Sequence, residues 1–183
     1  MLTYPPLIFR VLLILVTFVA GAYDIRYRRI PNWLSLTGVL LGLAFHAFLF
    51  EWPGVIFSAK GLALAMLIYF PLFALRGMGA GDVKLMAAVG ALVGVWNWIG
   101  IFVITGILGG LFAIVLAMSH GALRTTVRNV TYILTELAHL RMPYIGRSEL
   151  DIHNPKALRL PHGAVIALGS GLFLLAAAIW APK

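Results

Sequence analysis

Long apolar runs separated by short polar turns dominate this chain of 183 residues. Hydrophobic residues make up 62% of it and charged residues 11%, whereas soluble domains carry roughly 25% charged residues. A helix needs about 20 predominantly apolar residues to span a membrane. We therefore expect one all-α domain over residues 1–183, a polytopic membrane bundle of about six transmembrane helices. The predicted helices cover residues 7–23, 33–50, 54–75, 83–95, 99–118 and 160–180.

The distribution of basic residues orients these helices. The start of the first run has only Arg10, whereas a cluster of three arginines follows the run, which predicts the N-terminus outside. A cleaved signal peptide is the alternative, because residues 20–22 (Ala-Gly-Ala) resemble a cleavage site, but the basic cluster favours an uncleaved helix. With six helices, eleven of the fourteen basic residues are then cytoplasmic: Arg26, Arg28, Arg29, Arg76, Lys84, Arg124, Arg128, Arg141, Arg147, Lys156 and Arg159.

The only long polar stretch, residues 119–160, contains a predicted amphipathic helix. Apolar residues recur in it at three- and four-residue spacing, namely Leu123, Val127, Val130, Leu134 and Leu137. This helix could lie on the membrane surface, with Arg124 and Arg128 available to anionic lipid, or pack under the bundle. We expect the first arrangement. Prolines and a glycine predict a loop over residues 141–159.

Residue types exclude several kinds of site. The chain has no cysteine, which excludes disulfides and thiolate metal sites. Its five histidines lack metal-ligand spacing, and P-loop and dinucleotide fingerprints are absent, so we expect no metal or cofactor. The net charge of +8 is explained by basic cytoplasmic loops, so we expect no nucleic-acid partner.

A glycine-rich turn at residues 77–84 (Gly-Met-Gly-Ala-Gly-Asp-Val-Lys) lies between two apolar runs. A carboxylate beside hydrocarbon is costly to ionise, so Asp82 is a candidate functional residue. The three glycines allow another chain to approach closely. Alternatively, Asp82 is only the N-cap of a helix that begins at Val83, and Lys84 is only a cytoplasmic anchor.

Two aspartates, Asp24 and Asp82, are predicted at the cytoplasmic edge of spanning segments. Because Asp24 ends the first helix and Asp82 begins the fourth, a bundle could bring them together. The alternative for Asp24 is a surface ion pair with Arg26 or Arg28. Two carboxyl groups in contact share a proton, so one can accept a proton from water while the other donates to a carbonyl oxygen. No G-x-S-x-G motif indicates a serine nucleophile instead.

Three stretches of the sequence carry a family resemblance. Asp24 is followed by Ile-Pro-Asn at residues 30–32, and residues 79–90 read Gly-Ala-Gly-Asp-Val-Lys-Leu-Met-Ala-Ala-Val-Gly. Together these resemble the type IV prepilin peptidases, whose signature is the GxGD motif of intramembrane aspartic proteases. Residues 161–169 are similar to the last helix of that family, although His162 stands where the family often has Tyr. The resemblance extends over nearly the whole chain.

The resemblance implies an aspartic endopeptidase of the bacterial inner membrane that removes the short basic leader of prepilins at the cytoplasmic face. Prepilin leader peptides, the lipid bilayer and pilus assembly components are the expected partners. Larger members carry a cysteine-bearing insert and also N-methylate the product. This chain has no cysteine and no room for the insert between its first two helices. It therefore resembles the short, protease-only form of tight-adherence (Flp-type) pilus systems.

Motif matching assigns Asp24 and Asp82 as the catalytic residues. We also expect Gly79, Gly81 and Lys84 to contact substrate, with the leader extended along residues 77–81 like an added strand. Two alternatives stay open: a proton-coupled carrier, because paired membrane carboxylates also serve proton relays, and a non-catalytic assembly scaffold, in which both aspartates merely cap or pair. Carboxylates that relay protons tend to lie near the middle of the membrane. Both aspartates here are predicted at one edge of the membrane, which favours the protease.

Overall fold

The computed structural model describes residues 4–139 and 160–180, and within these ranges the secondary structure is entirely helical. Four of the five helices, all except α4, are long and apolar enough to cross a membrane, so the predicted all-α membrane bundle is confirmed to that extent. The predicted loop over residues 141–159 lies outside the described residues. The helices are α1 (Leu7–Tyr27), α2 (Asn32–Ala74), α3 (Ala80–Ser119), α4 (Leu123–Ala138) and α5 (His162–Trp180).

Helix α2 doubles back at Glu51, whose backbone is not helical (φ 53°, ψ −142°). The ring centroids of His46 and Phe57 are only 5.2 Å apart, whereas a straight helix would separate these residues by about 16 Å. The chain therefore reverses where the sequence places a turn, at residues 51–54, and α2 consists of two packed segments.

Helix α3 doubles back in the same way at Gly94, whose φ of 72° favours glycine. The indole Nε1 of Trp98 donates a hydrogen bond to the Met86 carbonyl at 3.0 Å, although a straight helix would hold these residues about 18 Å apart. Trp98 is therefore fully buried, while Trp96 is exposed.

Two helix starts differ from those predicted. Helix α3 begins at Ala80 rather than Val83, because Gly79 takes the extended backbone of an N-cap (φ −75°, ψ 146°). Helix α2 begins at Asn32 rather than at residue 33, with Pro31 as its N-cap, and the Asn32 side chain accepts a tertiary hydrogen bond from Lys84. At the start of α2 the tertiary partner of the Asn32 side chain outweighs its capping preference.

The core forms where the two segments of α2, the first part of α3, α1 and α5 meet, with Leu85, Met86 and Val89 fully buried. Glycines bring the backbones close together. A Cβ added to Gly42 would lie 2.9 Å from the backbone of Ala91, and one added to Gly90 would overlap the Gly61 carbonyl. Helices pack this closely in lipid mainly through such small residues.

Helix α4 presents an uncovered apolar face. Its side chains Leu123, Val127, Val130 and Leu134 are 42–62% exposed in the described part of the chain. Arg124 and Arg128 are also exposed, and helical spacing places them beside the apolar face, about 100° around the helix. This arrangement fits a helix that lies on a membrane surface better than one packed under the bundle.

Candidate active site

One end of the bundle gathers the end of α1 and the starts of α3 and α5. Asp24 lies in the last part of α1, Asp82 in the first turn of α3 and Gly163 in the first turn of α5. The Ile30 side chain fills the space between the starts of α3 and α5. Its Cβ is 3.1 Å from where a Cβ of Gly81 would lie, and its Cδ1 is 3.0 Å from the same position on Gly163. Close packing around Ile30 therefore fixes how the three helix ends approach one another.

The Asp24 carboxyl points into the bundle and is bound by α5. It is 9% exposed, and its Oδ2 accepts a hydrogen bond of 2.8 Å from the Gly163 backbone N–H. A helix N-terminus offers unpaired N–H groups and a partial positive charge, so this contact stabilises negative charge on Asp24. A surface ion pair with Arg26 or Arg28 does not account for a carboxyl buried in this way.

Asp82 is not the N-cap of α3, as the capping alternative required, because Gly79 holds that position. The half-buried Asp82 carboxyl accepts a hydrogen bond from the Gly79 backbone, as an acidic residue in the first turn of a helix commonly does. It also lies near enough to Asp24 for the two carboxyl groups to interact electrostatically. The structure thus places the two aspartates that the sequence paired at the same end of the bundle, within range of electrostatic interaction.

Two further polar side chains border the carboxyl groups and had no assigned role in the sequence prediction. Tyr69 is buried, packs edge-on against the rings of Trp98 and Phe102, and interacts electrostatically with Asp82. His162 interacts with Asp24, and its buried Nε2 has no hydrogen-bond partner among the described residues. The Pro-His-Gly stretch indicates His162 in the sequence, whereas Tyr69 lies in an apolar run with no motif around it.

The glycine-rich turn differs from the expected extended platform. Gly81 lies inside the first turn of α3 against Ile30, so only residues 77–79 precede the helix. A Cβ added to Gly79 would lie 3.2 Å from Oδ2 of Asp82, whereas one added to Gly77 would meet only the Leu72 carbonyl, at 3.5 Å. The expectation of a strand-like edge along residues 77–81 is therefore wrong for its second half, because α3 starts earlier than predicted.

Lys84 is exposed and its Nζ donates a hydrogen bond of 2.9 Å to Oδ1 of Asn32, at the start of α2. The structure thus gives Lys84 a partner on another helix and not the Asp82 carboxyl. Helical spacing also directs Lys84 to a different face of α3 from Asp82, since residues two apart do not share a face.

The described residues contain no cluster of three or more side chains able to hold a metal ion. No curated protein and no solved structure matches this chain. A family model, however, matches residues 11–114, more than half of the chain, and both aspartates lie inside the match. That model describes the type IV leader peptidases, so the match indicates a protease with prepilins as substrates. The chain, with Asp24 and Asp82 near one another at one end of its apolar bundle, therefore belongs to the type IV leader peptidase family.

Proposed function

We propose that this protein is an aspartic endopeptidase that cleaves the leader peptide of type IV prepilins of the Flp type at the cytoplasmic face of the inner membrane. The observation that carries this proposal is the approach of Asp24 and Asp82 at one end of the bundle, in a member of a leader peptidase family. Paired carboxyl groups are sufficient for peptide hydrolysis when one is ionised and the other protonated.

The surroundings of the two carboxyl groups suggest their roles. The Gly163 N–H and the N-terminus of α5 favour negative charge on Asp24, so Asp24 is the base. It takes a proton from water as the water oxygen bonds to the scissile carbonyl carbon, and Asp82 gives its proton to the carbonyl oxygen. When the C–N bond breaks, the departing nitrogen takes the proton from Asp24, and a hydroxyl of the intermediate returns one to Asp82. Both carboxyl groups are then restored.

We further propose that six segments span the membrane with the N-terminus outside. The reversals at Glu51 and Gly94 support this, because each divides a long apolar helix into two segments. The positions of the basic residues support a cytoplasmic location for the end that holds Asp24 and Asp82. A peptide leader in water could reach the carboxyl groups there without entering hydrocarbon.

The absence of an N-methyltransferase insert is also part of the proposal. Helix α1 ends at Tyr27 and α2 begins at Asn32, so the connection between them is too short for a folded insert. A purified sample incubated with prepilin and S-adenosylmethionine should release an unmethylated product, as measured by mass spectrometry. A methylated N-terminus on the cleaved product would contradict the proposed absence of N-methyltransferase activity.

Substrate contacts are proposed at Gly79, Gly81 and Lys84, with the leader extended beside residues 77–79. The extended backbone of Gly79 next to the Asp82 carboxyl supports this placement. We expect Gly79→Val to abolish cleavage while the protein still inserts, because the added side chain would occupy the space beside Oδ2 of Asp82. Gly77→Val is the matched control, because a Cβ at this position makes only an ordinary van der Waals contact with the Leu72 carbonyl. Retained cleavage in Gly79→Val would count against this binding mode.

The direct test of the protease is co-expression with a prepilin encoded in the same genome. Asp24→Asn and Asp82→Asn should each leave the prepilin at full length, a loss of about a thousandfold or more in rate, while the enzyme remains in the membrane. Glu51→Gln changes an exposed carboxylate at the reversal of α2 and should process normally. Processing by either aspartate variant would contradict the proposal and favour the scaffold or carrier alternatives.

A further inference from the structure

A cleft of about 410 Å³ lies on the side of the bundle, between the two segments of α2 and the first part of α3. Its rim holds Asn32 and Lys84, and its walls are apolar side chains that include Leu36 and Met66. Leu36 is 59% exposed and Met66 is 36% exposed, so the cleft opens toward the surroundings of the bundle. In a spanning bundle those surroundings are the hydrocarbon tails of lipids.

The rim of the cleft carries a positive charge with no acidic partner among the described residues. The hydrogen-bond acceptor of Lys84 is the neutral amide oxygen of Asn32, at 2.9 Å. The Asn32 amide N–H groups remain able to donate to an anion held by Lys84. A cation and an amide donor together favour a phosphate or carboxylate group at this position.

Below the rim, Ser35 supplies a second and independent sign of a missing ligand. This residue lines the cleft and is only 2% exposed, yet its hydroxyl has no hydrogen-bond partner in the described part of the chain. Buried hydroxyl groups nearly always have a partner, since an unsatisfied one costs about 1–3 kcal/mol. A turn of the Ser35 side chain toward the cleft would let it donate to an acceptor oxygen of a ligand there.

The shape of the cleft fits one long amphiphile. The wall continues from Asn32 at the rim to Val39, a depth of about 10 Å along the helix axis. A ligand that places an anion at the rim, a polar oxygen one turn below it and a hydrocarbon chain along the wall meets all three features. Membrane phospholipids have this order of groups: phosphate, ester and acyl chain.

We propose that the cleft is a specific site for an anionic phospholipid, with the phosphate on Lys84 and Asn32, an ester oxygen near Ser35 and an acyl chain along Leu36 and Met66. Basic pockets between spanning helices on the cytoplasmic side bind anionic head groups in this manner. Lys84 is also one of the proposed substrate contacts, but the cleft lies on a face of α3 away from Asp82, so lipid binding does not depend on the proposed peptidase chemistry. A bound lipid would instead hold the start of α2 against α3.

The test uses the purified full-length protein, offered equal amounts of dioleoyl phosphatidylglycerol and dioleoyl phosphatidylcholine and analysed by native mass spectrometry. The parent protein should retain phosphatidylglycerol preferentially. Lys84→Gln should reduce that preference about fivefold, while Lys84→Arg should preserve it, since one basic residue near anionic lipid contributes about 1 kcal/mol.

A second pair of variants tests the acyl-chain wall. Met66→Trp places an indole in the cleft and should reduce retention of both lipids, whereas Leu67→Trp, at a neighbouring residue that is 72% exposed and does not line the cleft, should not. If Met66→Trp fails to fold, Val39→Trp obstructs the same wall. Equal retention of both lipids by the parent protein would overturn the proposal. An unchanged lipid preference in Lys84→Gln would do the same, as would a folded wall variant that retains as much lipid as Leu67→Trp. Occupation of the cleft by prepilin peptide alone would overturn it as well.

Discussion

The two parts of α3, on either side of Gly94, are both strongly apolar in sequence, but the first is enclosed by protein and the second is only partly enclosed, with Trp98 and Ile101 buried. Before Gly94, Leu85, Val89 and Leu92 are at most 1% exposed, and protein surrounds them on every side. After Gly94, Ile107 and Leu111 are 66% and 56% exposed. Hydropathy alone cannot separate these two environments, because lipid tails and a protein core are equally apolar.

Glycine contacts explain how the first part of α3 becomes enclosed. Gly90 lies directly against the Gly61 backbone, and Gly42 lies against Ala91, so neighbouring helices approach without intervening side chains. By contrast, Gly106 and Gly110 have no described atom within 4 Å of an added Cβ. The part of α3 before Gly94, which holds Asp82, is thus packed closely against its neighbours, whereas the face of the second part that contains Gly106 and Gly110 is open.

The largest expected effect comes from adding one methyl group at matched glycines in the two parts. Gly90→Ala would force the Gly61 carbonyl and α3 apart, so we expect a loss of about 3 kcal/mol of unfolding free energy or failure to insert. Gly106→Ala should change the unfolding free energy by less than about 1 kcal/mol, because the new methyl group meets open space. Denaturant unfolding in detergent micelles measures both. Equal stability of the two variants would show that the close approach is unimportant.

A smaller effect, on activity rather than folding, is expected for a matched pair in α5. A Cβ on Gly163 would lie 3.1 Å from Cβ and 3.2 Å from Oδ2 of Asp24, so Gly163→Ala should shift that carboxyl group. A catalytic group that is displaced by up to about 1 Å loses roughly tenfold to a hundredfold in catalytic rate. Gly171→Ala, with nothing within 4 Å, should retain the parent rate. The measurement is the rate of prepilin cleavage at matched enzyme levels. An unchanged rate in Gly163→Ala would show that α5 does not position the Asp24 carboxyl group.

Sequence reasoning was sufficient for features that depend on local pattern. The apolar runs, the breaks near residues 51 and 94, and the amphipathic helix all follow from composition and spacing, and the structure contains each of them. The pairing of Asp24 with Asp82 also followed, because membrane depth confines where a carboxyl group can lie.

Features that depend on packing between distant segments were not predictable. The hydrogen bond from Gly163 to Asp24 joins opposite ends of the chain, and nothing local to Tyr69 marks its position beside Asp82. The start of α3 was misplaced because Asp82 resembles an N-cap, although its carboxyl group is directed back to Gly79. Such choices are decided by tertiary contacts, which pattern and propensity do not encode.

The central claim is that the Asp24 and Asp82 side chains meet, and thiol cross-linking in native membranes tests it most directly. The chain has no cysteine, so a pair of introduced thiols gives an unambiguous signal. His46→Cys with Phe57→Cys, whose native ring centroids are 5.2 Å apart, is the positive control, and Asp24→Cys with Glu51→Cys, at opposite ends of the bundle, is the negative control. We predict that Asp24→Cys with Asp82→Cys is joined by a short bifunctional thiol reagent as efficiently as the positive control. No link between these two positions, in membranes where the positive control is linked, would contradict the account.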